Sequence, residues 1–238
     1  MKINPLWAYW TDRDIYPVTY ELTKIPCDQL HIKYFGYPYP HRIAENFFKA
    51  HKEYTHLILH PNDLICTVQN YNKLISTMKE FQYPILSGVC NVDLDKYWDY
   101  WNITSNLPDL NYDLRRYNWI SKSRYPNMII EVPFAGFPMM MISREVLEHT
   151  NINWLSPQMK GQNKAIWEES GGYSNDLAFA HNLNRLVIPI RCDTSNQILH
   201  LRYHGSSMLG KKRPEVKLIK YIEPTISYEP EDQIRSSR

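Results

Sequence analysis

His56-Leu57-Ile58-Leu59-His60-Pro61-Asn62-Asp63 carries the strongest architectural signal in the chain. Three aliphatic residues run together between two histidines without helical spacing, as in a short strand buried on both faces. Proline lacks the N–H that a central strand needs, so the strand stops at Pro61. Asn62 and Asp63 supply turn chemistry, which places Asp63 at the carboxyl end of that strand.

Similar short runs flank it. Upstream, Leu6-Trp7-Ala8-Tyr9-Trp10 reads as a strand that ends in the polar turn 11–14. Alternation over Leu30-His31-Ile32-Lys33-Tyr34-Phe35 predicts a second strand. After the loop at 36–40, Ile43, Phe47 and Ala50 recur at helical spacing between His41 and Lys52, with Phe48 widening the apolar face. Downstream, Val68, Leu74, Ile75, Met78 and Phe81 mark another helix, and Pro84 to Cys90 reads as a strand. Strand and helix therefore alternate through the first ninety or so residues, which predicts a parallel α/β sheet with ligands at the carboxyl ends of its strands.

The pattern then changes. Asp93 to Tyr125 is rich in Tyr, Trp, Asn and Asp without a sustained period, and reads as a long excursion over the sheet beside an acceptor site. Met128 to Val132 resumes a strand, followed by the apolar run from Phe134 to Ile142. Ser143 is placed to cap a short helix through Arg144, Glu145, Val146 and Leu147, and Ser174 to cap another with Asp176 in its first turn. Val187 to Ile190 and Ile198 to Leu201 read as closing strands. Beyond His204, Lys, Arg, Pro, Glu and Ser dominate. The expected organisation is one domain over 1–204 and a basic, loosely attached tail over 205–238.

Composition bounds the function. Of 238 residues 43% are hydrophobic, enough for a sizeable core. A net charge of +2 offers no polybasic field, which argues against nucleic acid as a partner. Cys27, Cys66, Cys90 and Cys192 form no C-x-x-C pair, so they read as buried free thiols. With no leader-like or spanning apolar run, the expected location is cytoplasmic. Lys211-Lys212-Arg213 allows weak contact with an anionic membrane surface, although a solvated tail explains it as well. The 18 Tyr and 7 Trp fit both a filled core and rings that stack on sugars.

Three constellations can carry chemistry. Asp63 at a strand end can hold Mg²⁺ or Mn²⁺ against a diphosphate, because hard cations prefer oxygen ligands. The same residues also make an ordinary turn. In the segment Glu168-Glu169-Ser170-Gly171-Gly172-Tyr173-Ser174-Asn175-Asp176, the glycines allow close backbone approach. Asp176 at a helix start is stabilised as an anion by the dipole and can remove a proton from an acceptor hydroxyl. Helix capping with a first-turn acid accounts for it equally. His200, in an apolar run after Asp193, can complete a metal site with Asp63 or serve as a core histidine. With His204 it could also form a zinc site.

Taken in order, these features resemble the GT-A glycosyltransferases, above all the broad inverting family two, over roughly residues 1 to 204. His60-Pro61-Asn62-Asp63 takes the place of that family's acidic turn. Phe134-Ala135-Gly136-Phe137-Pro138 is similar to its small-residue segment beside the sugar. Arg144-Glu145-Val146-Leu147 resembles the helix that follows, and Gly172-Tyr173-Ser174-Asn175-Asp176 resembles its Gly-x-x-Glu-Asp motif. Asp193 and His200 resemble the late strand whose histidine can bind metal.

The resemblance implies a single GT-A domain with a mixed, mostly parallel sheet, and transfer of a sugar from a nucleotide-diphosphate sugar to an acceptor hydroxyl with inversion. It makes Asp176 the base, and gives Mn²⁺ or Mg²⁺ to Asp63 and His200. Asn62, Asp63, Gly136 and Gly172 would contact the donor, with Asp12 and Arg13 added by their position after the first strand. The acceptor is a carbohydrate, a lipid-linked sugar or a protein. Asn62 and Asn175 stand where the family has acids, so two negative charges are missing. A weakly active or inactive sugar-nucleotide-binding relative is one alternative, and a metal-dependent hydrolase built on His200 and His204 is another.

Overall fold

The structure is a computed structural model and describes residues 2–11, 16–33, 39–61, 63–92, 99–108, 117–149, 175–201 and 215–223. Its centre is an eight-stranded mixed sheet. In spatial order the strands are β13 (Glu215–Ile219), β2 (Asp28–Lys33), β1 (Pro5–Thr11), β3 (His56–Pro61), β10 (Met140–Ser143), β5 (Ile85–Val89), β11 (Ile190–Gln197) and β8 (Ile129–Val132). The ladders make β1, β2, β3, β5 and β11 point one way, while β13, β10 and β8 oppose them. The chain is thus α/β with a large, mixed sheet, and the carboxyl ends of the five co-directional strands lie along one edge.

Alternation within the strands builds two cores. In β1, Leu6, Ala8 and Trp10 face one layer, which includes Leu30, Ile32, Leu57, Leu59 and Phe179. Trp7 and Tyr9 face the other, with Ile58, Leu74, Met78 and Met141. A period of two sends neighbouring side chains to opposite faces, so a near-continuous apolar strand is what a sheet covered on both sides requires.

Helix α2 (Tyr39–Ala50) and the short α4 (Arg144–His149) lie with the first layer, and α3 (Val68–Phe81) with the second. Thr67 starts α3 with a capping box, its hydroxyl accepting from Asn70 N while the Asn70 side chain reaches back to Thr67 N. Ser143 caps α4 as expected, accepting from Val146 N at 3.4 Å. Among the described residues no helix is long and apolar enough to cross a membrane.

Four features differ from the sequence expectation. The aperiodic stretch 93–125 contains β6 (Tyr100–Thr104) and β7 (Trp119–Ser121), which form a separate three-stranded sheet with β9 (Phe134–Ala135). A register irregularity between Trp101 and Thr104 breaks the alternation that would have revealed β6. Helix α1 (Tyr16–Leu22) had no counterpart in the reading. Within the stretch read as a tail, β13 is an edge strand on β2.

The expected strand at Val187 begins only at Ile190, because residues 186–188 instead close helix α5 (Asn175–Arg185). Val187 N donates to Asn184 O and Ile188 N to Leu183 O, the double bond of a Schellman cap, with Val187 at φ 57°.

Candidate active site at the carboxyl edge of the sheet

Asp63 is the second residue after β3 and immediately precedes β4 (Leu64–Ile65), which pairs with β12 (Leu199–His200). His200 stands opposite Leu64, and Leu201 N donates to Asp63 O at 2.7 Å. The two short strands thereby bring together residues separated by 137 positions: His200 Nε2 lies 3.2 Å from Asp63 Oδ2. On its other side His200 Nδ1 lies 3.1 Å from the carbonyl oxygen of Asn91, just beyond β5.

Burial alone would raise the Asp63 pKa. The hydrogen bond and charge of His200 outweigh it and hold the carboxyl below its ordinary range.

The turn is closed at its neck. His60 is fully buried, with Nδ1 3.3 Å from Cys66 Sγ, so residues 60 and 66 clasp the loop that carries Asp63. The His60 ring packs between Trp7 and Tyr9, at centroid distances of 5.3 and 5.8 Å. Burial depresses its pKa to about 4, which keeps it neutral at physiological pH.

Asp176 comes to the same edge through α5. Near its middle the helix places Phe179 against Phe137, 5.7 Å between rings, and Phe137 touches Trp10 near the end of β1. Nearer its other end, Asn184 Nδ2 donates to Pro133 O, beside Val132, which pairs with the first residue of β11. The helix thus descends along the sheet with its first turn at the carboxyl edge. Asp176 Oδ1 accepts from Leu177 N at 2.8 Å. Burial raises this carboxyl from the usual 3.8 to about 7, against the opposing pull of the Leu177 and Asp176 backbone N–H groups.

Gly136 lies beside the tip of β5. Its N–H donates to Asn102 O, and Asn102 N donates to Cys90 O. A Cβ on Gly136 would overlap the Asn102 amide nitrogen and lie 3.0 Å from its Cγ, so no other residue fits without moving that carboxamide. Asn102 Oδ1 is shielded from solvent and meets no hydrogen-bond donor among the described residues. An isolated Asn in an aperiodic stretch gives no sequence signal for this position.

Two residues of the resemblance have other duties. Asp193 is buried and accepts from Ser195 N at 2.9 Å and from the Ser195 hydroxyl, within the irregular stretch of β11 between Cys192 and Gln197. Arg144 points to the opposite edge of the sheet, where its guanidinium donates to Phe48 O, His51 O and Tyr54 O and pairs with Glu148. Asp12, Arg13, Asn62, Gly172 and His204 lie outside the described residues.

Among the described residues no cluster of three or more His, Cys, Asp or Glu side chains could hold a metal. Asp63 Oδ2 and His200 Nε2, 3.2 Å apart, are an oxygen and an imidazole nitrogen, two of the several ligands that a divalent cation would need.

No protein-family model matches the sequence, and no curated protein matches it. The fold is similar to that in the crystal structure of A197 from STIV, with a TM-score of 0.55 over 86% of this chain and 97% of that one. Identity between the two is 13%, so the likeness is one of fold alone.

Proposed function

We propose that the chain is a GT-A glycosyltransferase that moves a sugar from a nucleotide-diphosphate donor to an acceptor hydroxyl with inversion, assisted by Mn²⁺ or Mg²⁺. The observation that carries this reading is the setting of His200. Its two ring nitrogens face the Asn91 carbonyl and the Asp63 carboxylate, and both of these only accept. A neutral imidazole has one N–H, which the carbonyl fixes on Nδ1. That bond turns Nε2 toward Asp63, where the two side chains could share a cation. A histidine whose far nitrogen is pinned by a carbonyl is the usual support for a metal ligand.

In this reading Asp63 and His200 hold the cation against the donor diphosphate at the carboxyl edge. The cation's contribution is charge neutralisation on the leaving nucleotide. Asp176 accepts the proton of the attacking acceptor hydroxyl, a task suited to a carboxylate whose pKa of about 7 is near the working pH. The His60–Cys66 contact at the neck of the turn keeps Asp63 in place for this role.

Thermal melts with UDP-glucose and GDP-mannose, with and without Mn²⁺, test the proposal. The expected result is a melting temperature raised by at least one nucleotide sugar in an Mn²⁺-dependent way, with the shift lost in Asp63→Asn. If neither donor stabilises the wild-type chain, the reading fails. The two-ligand metal set also favours a second reading, a sugar-nucleotide-binding protein without turnover. It predicts the same shift but no slow release of free sugar from the bound donor.

A further inference from the structure

We propose that Asn102 is a specificity-determining residue that accepts a hydrogen bond from a hydroxyl of the donor sugar, an assignment that rests on the glycosyl-transfer reading above.

Three independent observations lead there. The backbone of Asn102 is held on both sides, its N–H by Cys90 O at 2.8 Å and its carbonyl by Gly136 N at 3.1 Å. These bonds fix its Cα at the tip of β5, one residue along from the Asn91 carbonyl that orients His200. Next, the carboxamide occupies the space that a Cβ at 136 would fill, with its nitrogen nearest. The bare glycine is thus matched to the Asn102 side chain. Last, Oδ1 is shielded from solvent and has no protein donor among the described residues.

A buried acceptor without a partner is destabilising, and such groups are uncommon in folded proteins. One retained beside a metal-ligand pair is explained if a ligand supplies the donor. The ligand chemistry follows from the atom. A carbonyl oxygen accepts, so it repels a phosphate or carboxylate and selects an O–H or N–H. At the edge where Asp63 and His200 would hold the diphosphate, both rings that flank it, the nucleotide ribose and the transferred sugar, carry such groups. Asn102 is assigned to the transferred sugar, and the matching nucleoside diphosphate, which keeps the ribose, separates the two. A hydroxyl that satisfies a buried acceptor discriminates strongly against an analogue lacking it.

Titration calorimetry in Mn²⁺ with UDP-glucose, GDP-mannose, UDP and GDP separates the outcomes. Asn102→Ala is expected to weaken the nucleotide sugar that binds wild-type protein by about three- to tenfold, with the matching nucleoside diphosphate unchanged. Gly136→Ala, which keeps Asn102 but displaces its carboxamide, is expected to give the same split. Equal weakening of sugar nucleotide and diphosphate would mean that Asn102 only shapes the loop, and would overturn the assignment. So would undiminished sugar-nucleotide binding by Asn102→Ala. Wild-type protein that binds neither nucleotide sugar would overturn the glycosyl-transfer reading itself, and this one with it.

Discussion

The two edges of the central sheet treat polar groups in opposite ways. At the amino-terminal edge, the Arg144 guanidinium meets the carbonyls of Phe48, His51 and Tyr54 and the Glu148 carboxylate. Beside it Asp28 accepts from the Tyr54 hydroxyl, Lys220 Nζ and Tyr221 N, which ties β13 to the sheet and lowers the Asp28 pKa despite burial. At the carboxyl edge His200 stands between the Asn91 carbonyl and the Asp63 carboxylate, burial raises the Asp176 pKa to about 7, and Asn102 Oδ1 meets no donor among the described residues. The polar groups named at the first edge all meet protein partners, and those named at the second leave room for a ligand. Local rules of polar satisfaction fail most often where a ligand completes them, so the contrast locates function more firmly than any single residue does.

The largest expected effect breaks the open edge at its base. Asp176→Asn should lower kcat about 10²–10⁴-fold in a sugar-transfer assay, the usual range for a general base. Its effect on stability should run the other way. The folded pKa of about 7 lies above the ordinary 3.8, so ionising Asp176 opposes folding progressively as pH rises from about 4 to 7. The variant should therefore melt no lower than wild type at pH 8. The wild-type rate should climb with pH and level off above about 7. A loss of both rate and melting temperature would make Asp176 a structural cap.

A second test strikes the closed edge. Arg144→Ala leaves three backbone carbonyls without their cationic donor and should destabilise the fold by about 2–4 kcal/mol in urea unfolding. Binding of a nucleotide sugar by the remaining folded protein should persist. If binding is lost instead, the two edges are coupled and the comparison fails.

The smallest effect concerns strain on the closed side. Val187 is 86% exposed and β-branched, yet occupies the left-handed position of the α5 cap. Val187→Gly should stabilise the chain by about 1 kcal/mol in the same unfolding assay, since glycine holds this conformation without steric penalty. No gain would show that the turn, like the carboxyl edge, is held by contacts beyond its own backbone.

Much of this plan could be read from the residues. The apolar runs at Leu6, Leu30, His56 and Ile85 became β1, β2, β3 and β5 because buried parallel strands carry near-continuous hydrophobicity, and α3 follows its 3.6-residue spacing from Val68 to Phe81. Asp63 and His200 were paired from their positions at strand ends, and the β4–β12 ladder brings them within hydrogen-bond distance. What stayed hidden depends on distant partners. Arg144 looked like part of a motif, but its carbonyl partners lie about 90 positions away and leave no periodic trace. The edge strand β13 is solvated along most of its length, so its residues resemble a tail. Asn102 gains meaning only against Gly136, 34 positions later.

The antiparallel strand β10, seated between β3 and β5, also sets the order in which the sheet can be completed during synthesis. Both neighbours of β5 in the sheet, β10 and β11, are encoded after it, and all five of its residues are buried in the finished fold. At about 5–20 residues per second, the ribosome leaves β5 without a ladder partner for on the order of several seconds, and β3 with one open side for longer. During that interval both edges of β5 and one edge of β3 are exposed to pairing with other chains. Emergence of Met140–Ser143 is the event that joins the two halves of the sheet, so a chain arrested before it is the species that chaperones must shield.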